Sequence, residues 1–233
     1  MGGQNAKPIT SVSSAGPFRL VYFDVEAAGE KVRLAFCLAG IPFEDKRVKF
    51  EEWETLKPKT KYGQLPILQV GDEELYQSTA MLKYVALAAP ESGLYPLSDP
   101  VKCVRIDEMM GLIADFQNLW APCFYVAMYP ERLGHAGAVD KAVIEKMRTA
   151  FVENEMPKFM DFFSKAIGSS FVCGDTPTIA DCVLFPQLRY FTRGVADFVP
   201  PTCLEPYPLI TAYIDRVLSL EPIKKWYDDN AKM

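Results

Sequence analysis

The chain has 233 residues, 49% of them apolar and 24% charged, a make-up that suits a globular protein of one or two domains and excludes a disordered one. Its 25 basic and 30 acidic residues leave a formal charge of −5, which disfavours duplex nucleic acid and other partners that need a basic surface. No apolar run approaches the roughly 18 residues of a transmembrane segment, and Met1 to Gly16 is polar with no apolar core of the secretory kind, so a cytoplasmic location is expected.

After a tail over 1–16, expected to be disordered, Phe18 to Phe23 reads as a strand and Asp24 to Gly29 as a loop. Glu30 to Ala39 carries apolar residues at 32, 34, 35, 36 and 38 and is stopped by Gly40, the pattern of a helix. Ile41 to Phe50 alternates imperfectly and reads as a second strand; the strand–helix–strand order implies a parallel pair with a right-handed crossover. Leu65 to Val70 and Glu73 to Tyr76 flank Gly71-Asp72, a hairpin signal, and Thr79 to Ala89 is a helix closed by Pro90. Residues 17–89 therefore form an α/β domain, a βαβ–ββα mixed sheet with helices on both sides.

The Pro/Gly/Ser-rich stretch 90–99 reads as a linker, and 100–233 as an all-helical domain. Its predicted helices are Val101 to Tyr129, Ala138 to Ile167 with a bend at Pro157, Ile179 to Arg193, Tyr207 to Leu218 and Pro222 to Asp229. Thr178 and Asp181 have the spacing of a capping box, and Phe171 to Cys173 is the one short strand candidate.

Six cysteines (Cys37, Cys103, Cys123, Cys173, Cys182, Cys203) lie far apart with no C-x-x-C, and the single histidine, His135, sits in a Gly/Ala-rich stretch. This pattern argues against a Cys/His zinc site, a redox dithiol and a histidine-based catalytic pair; the thiols read as packed groups in a reducing cytosol. Any chemistry must come from tyrosine, carboxylates, lysine, arginine or a bound small molecule.

Four segments carry a resemblance: Leu20-Val21-Tyr22-Phe23, Glu52-Trp53 with Leu56-Lys57, Gly63-Gln64-Leu65-Pro66-Ile67-Leu68, and Leu75-Tyr76-Gln77-Ser78. Together with Gly174-Asp175 and Thr178 to Asp181, they resemble the cytosolic glutathione transferases, most of all the sigma class, from about Phe18 to the C-terminus. The resemblance implies a thioredoxin-like first domain, an all-α second domain, a cis Pro66, glutathione as co-substrate and a homodimer.

Glutathione brings two carboxylates, an amine and a thiol, so its site needs converging donors and a means of favouring thiolate. A free thiol near pKa ~8.5 is only about 3% ionised at pH 7, and lowering its pKa by ~2 units takes ~2.7 kcal/mol. A hydrogen bond to an anion is worth ~1.5–3 kcal/mol, so Tyr22, at the end of the first strand, is the expected catalytic group. Ser78, read as an N-cap, offers the backbone N–H groups of the following helix to the γ-glutamyl carboxylate, with Gln77 adding an amide. Leu65, held extended before Pro66, presents its backbone to the cysteinyl part, assisted by Gln64. Trp53 and Lys57 are four apart and share a helical face that suits the glycine carboxylate. By resemblance, Asp115 reaches the amino group of glutathione across the dimer. The plain alternatives are a packed strand aromatic, a simple helix cap, and a half-buried Trp beside a solvated Lys.

Sigma-class relatives place an arginine where this chain has Ala28, and Glu26 makes the loop less electropositive still. Without that cation the thiol would be less activated, unless the following helix N-terminus compensates. Gly111 and Ala114 stand where some isomerising relatives carry acids, so no metal site is expected. Val25, Ala28, Phe50, Ala114 and Gln117 are the expected lining of a roomy, apolar pocket for the electrophile. Three functions stay open: conjugation to small apolar electrophiles, glutathione-dependent isomerisation of a prostaglandin-type lipid, and non-enzymatic ligand binding. The start Met1-Gly2-Gly3-Gln4-Asn5-Ala6 approaches a myristoylation signal at Gly2 but has Ala6 where Ser or Thr is preferred.

Overall fold

A computed structural model describes residues 17–168 and 170–230; the expected tail and its candidate modification at Gly2 lie outside the described residues. The described chain divides into two units, with the boundary between Ser92 and Gly93. The expected linker at 90–99 is thus shared between them. Pro90–Ser92 is a 3-10 turn of the first unit, whereas Leu94 is tied into the second, its carbonyl accepting from Ile179 N–H at 3.0 Å.

In the first unit, β1 (Phe18–Phe23), α1 (Ala27–Ala39), β2 (Phe43–Val48), α2 (Phe50–Leu56), β3 (Ile67–Val70), β4 (Glu73–Tyr76) and α3 (Ser78–Ala88) follow in order. The sheet runs β2-β1-β3-β4, with β1 and β2 parallel and the other pairs antiparallel. Period-two alternation sorts β1 onto two faces. Phe18 lies against Phe36 of α1 at 5.4 Å and Tyr84 of α3 at 6.4 Å, while Val21 joins Val48 and Ile67 in a cluster against Leu56 of α2. Helices thus cover both sides. Gly40, at φ 66°, ends α1 in the left-handed region and bonds back to Phe36 and Cys37.

At α1 and at the end of β2 the boundaries differ from expectation in ways that bear on the site. α1 begins at Ala27, so Ala28 and Gly29 are helical, because tertiary contacts to Tyr22 hold a turn that carries no capping residue in its sequence. β2 ends at Val48, and Phe50 opens α2 instead of closing the strand.

The second unit contains α4 (Pro100–Met128), α5 (Lys141–Ala150), α6 (Met156–Ile167), α7 (Ile179–Thr192), α8 (Pro208–Ser219) and α9 (Glu221–Asp229). Helix runs without a break from Lys141 to Ile167, as α5, a π turn at Phe151–Glu155 and α6; the irregularity expected at Pro157 is this π turn just ahead of it, a widened turn of the kind that marks a disturbed hydrogen-bond ladder. Phe171 makes only an isolated bridge to Gly174. Phe116 centres the core, with Phe151, Phe159, Phe163 and Phe191 between 5.3 and 5.8 Å away. Thr178 and Asp181 form the expected capping box, and the buried carboxylate also accepts from Val172 N–H and Tyr213 Oη, each at 3.0 Å.

Candidate active site

Sheet register gathers part of the expected site at one end. Val21 pairs with Ile67, and Ile67 with Tyr76. Tyr22, the Leu65–Pro66 entry to β3 and the Gln77–Ser78 exit from β4 therefore share that end. The Leu65–Pro66 peptide is cis. Leu65 packs on the Val21–Val48–Ile67 cluster, and its backbone lies ahead of the β3 ladder. From α2, Trp53 meets Phe23 edge-on at 5.7 Å. Lys57, at the end of α2, lies along Gly63, where an added Cβ would stand 3.7 Å from its Cε; it is thus a neighbour of Gln64.

The α3 terminus differs from expectation by one residue. Gln77, at φ 68°, is the flanking position and makes no side-chain cap bond, while Ser78 is the first helical residue. A left-handed glutamine at the end of β4 shifts the start of the helix, which residue preference for Ser at caps does not reveal. No acid occupies the first turn of α3, so its N–H groups remain suited to a carboxylate.

Tyr22 is 7% exposed, yet its ring is not simply packed. Its hydroxyl oxygen accepts from Ala28 N–H at 3.1 Å, at the positive end of α1. Gly29 lies so close beneath the ring that an added Cβ would stand 2.3 Å from Cδ1. The guanidinium of Arg33 lies 5.6 Å from the ring centroid. Ala28 is therefore not a loop residue: its backbone donates to the phenol oxygen, which draws charge toward that oxygen and strengthens its hydrogen as a donor.

Val25 offers its carbonyl to Arg33 at 2.7 Å. Phe50 stacks on Phe23 at 4.7 Å and is 58% exposed. Ala114, Asp115 and Gln117 lie on α4 of the second unit; the first two are exposed, and the Gln117 amide donates to Gln187 at 3.1 Å. Burial, with Glu30 and Asp45 nearby, pushes the Cys37 thiol up to about 12, and burial pushes Cys173 and Cys203 up to about 11, so these three hold little thiolate at neutral pH.

Arg33 is the residue that sequence reasoning missed. It is fully buried and bonded to Glu30, Asp45, Phe23 and Val25. A signal existed: Glu30 and Arg33 are an i,i+3 pair set among the apolar positions of α1.

Sequence profiles of the family cover both units: "Glutathione S-transferase, N-terminal domain" matches residues 19–87 and "Glutathione S-transferase, C-terminal domain" residues 136–230. Glutathione S-transferase 1 of Ascaris suum is 32% identical over 92% of this chain and 97% of its own. The crystal structure of the glutathione S-transferase from Ascaris lumbricoides superposes with a TM-score of 0.73 at 32% identity, over 92% of this chain and 97% of that one. The structure of prostaglandin synthase D of Nilaparvata lugens gives a TM-score of 0.75 at 25% identity, over 91% and 97%. A thioredoxin-like sheet unit, a helical unit and near full-length similarity together make this chain a member of the glutathione S-transferase family.

Proposed function

We propose that this protein conjugates glutathione to small apolar electrophiles, with Tyr22 as its thiol-activating residue. The observation that carries this reading is the Tyr22 phenol, fixed by Ala28 N–H at the start of α1 and placed at the same end of the sheet as Leu65–Pro66 and the α3 N-terminus. Tyr22 Oη–H donates to the sulfur and favours its anion. The sulfur lone pair then forms the bond to carbon as the electrophile releases its leaving group with the bonding electrons. The Leu65 backbone, with Gln64, orients the cysteinyl part; Gln77 and the α3 N–H groups take the γ-glutamyl carboxylate, and Trp53 with Lys57 the glycine carboxylate.

The helix N-terminus at Tyr22 supports activation without the arginine that the sigma-class pattern places at Ala28. Under the same reading the protein is a cytoplasmic, sigma-type homodimer that uses no metal, and Asp115 meets the amino group of glutathione in that dimer. Val25, Ala28, Phe50, Ala114 and Gln117 are the candidate electrophile contacts. The likeness to prostaglandin synthase D favours one second reading, isomerisation with glutathione regenerated, and product mass separates it from conjugation. Tyr22→Phe should lower kcat for an activated aryl halide by at least about tenfold, the size of one lost charge-assisted hydrogen bond. An unchanged kcat removes Tyr22 from this role.

A further inference from the structure

Three residues separate Tyr22 from the buried Glu26 that precedes α1, and two guanidinium groups hold all three. Phe23 and Val25 present their carbonyls to Arg33 at 3.0 and 2.7 Å, and the Asp24 carboxylate pairs with Arg47. The two arginines share Asp45: Arg33 Nε donates to Oδ1 at 3.0 Å and Arg47 Nε to Oδ2 at 2.9 Å. Arg33 also donates to Glu30 at 3.2 Å. Charges thus alternate from Glu30 through Arg33, Asp45 and Arg47 to Asp24, from α1 across β2 to the segment after Tyr22. The centre is dry, with the Arg33 and Glu30 side chains fully buried and that of Asp45 13% exposed.

Packing alone does not account for this centre. Desolvating an ion pair costs about as much as the pair returns, and an apolar side chain of similar volume could fill the same space. A guanidinium supplies what no apolar group or lysine can: a rigid fork of donors pointing several ways at once. Here the fork spans two carbonyls and two carboxylates while its carbon stands 5.6 Å from the Tyr22 ring centroid. Its charge is offset by Glu30 and Asp45, so it acts through geometry rather than through field.

We infer that Arg33 is a positioning residue for Tyr22: its fork fixes the backbone after the tyrosine, and with it the place of the phenol oxygen. This inference rests on the reading of Tyr22 as the thiol-activating group. Lysine at 33 keeps the charge but offers one point of donation, so the Phe23–Val25 backbone relaxes and the phenol loses its aim.

The test compares Arg33→Lys, Asp45→Asn and Tyr22→Phe with the full-length parent. Each is assayed for kcat and KM with an activated aryl halide, for the pKa of bound glutathione from thiolate absorbance, and for thermal stability. Arg33→Lys should lower kcat by about tenfold or more, leave KM for glutathione within about threefold, and raise the bound-thiol pKa by about one unit. Asp45→Asn loosens the same fork from a less buried position and should move kcat and the thiol pKa in the same directions, which keeps the test decisive if Arg33→Lys does not fold. A folded Arg33→Lys or Asp45→Asn that loses only thermal stability, with kcat and thiol pKa unchanged, overturns the inference. If Tyr22→Phe raises the thiol pKa while those two do not, Arg33 alone is displaced from its role. If Tyr22→Phe leaves the thiol pKa unchanged, the reading of Tyr22 fails, and the inference fails with it.

Discussion

Gly29→Ala isolates the fit between Tyr22 and the first turn of α1. The added methyl carbon would stand 2.3 Å from Tyr22 Cδ1, 2.6 Å from Cγ and 3.1 Å from Cβ. Carbon atoms pack at about 3.5–4.0 Å, so the ring must withdraw by more than ~1 Å. Arg33 at 5.6 Å and the Phe23 ring at 5.5 Å leave it little room. Overpacking costs ~1–3 kcal/mol, and alanine returns ~1 kcal/mol through helix propensity, so the net loss of stability is small. Activity should suffer more, since a displacement of about 1 Å at a reacting group can cost ~10²-fold in rate. Gly111→Ala is the matched control: it lies within α4 with nothing within 4 Å of an added Cβ, so it should stabilise by ~0.5–1 kcal/mol and leave activity unchanged. The assay is kcat/KM beside thermal unfolding for both variants. A folded Gly29→Ala enzyme with kcat/KM within about threefold of the parent would refute the claim that this contact sets the tyrosine.

Two further outcomes follow from buried polar groups. Burial lowers the half-buried Lys31 amine from 10.5 to about 8; between those values the unfolded chain binds more protons, so parent stability rises with pH there. Lys31→Met should therefore stabilise the fold by roughly 1–3 kcal/mol at pH 7 and by almost nothing near pH 10.5, and a pH-independent difference in chemical denaturation would contradict it. Tyr213→Phe removes the buried hydroxyl that donates to Asp181 at 3.0 Å. It should cost ~1.5–3 kcal/mol in thermal unfolding with activity per folded molecule unchanged, and an unchanged Tm would show that the carboxylate finds another donor.

Where local rules govern, the sequence was a sufficient guide. Gly40 ends α1, Gly71-Asp72 turns the hairpin, and the Thr178–Asp181 spacing opens α7, because each depends on residues only a few positions apart. The misread features depend on residues distant in the chain. Ala27-Ala28-Gly29 resembles a loop until Tyr22 packs on it, and Gln77 rather than Ser78 flanks α3 because β4 delivers it in a left-handed conformation. Arg33 was overlooked for a related reason: a charge on a helix suggests a solvated face, and only the inward Asp45 and the carbonyls of Phe23 and Val25 give it an interior. Tyr22, Leu65, Pro66, Gln77 and Ser78 could be nominated from motifs, but that one end of the sheet carries them all required the register of β1, β3 and β4.

The bond from Ala28 N–H to the Tyr22 oxygen has a consequence for how this enzyme can change. Glu26, at the start of α1, makes no side-chain cap bond, so the phenol caps the helix from a neighbouring strand in its place. Losing a helix cap costs about 0.5–2 kcal/mol, so substitutions that silence Tyr22 also loosen the first turn of α1. A lineage that gave up conjugation while keeping this fold would still be under pressure to retain the hydroxyl. The presence of that tyrosine in a relative is therefore weaker testimony to activity than the catalytic role proposed for it would alone suggest.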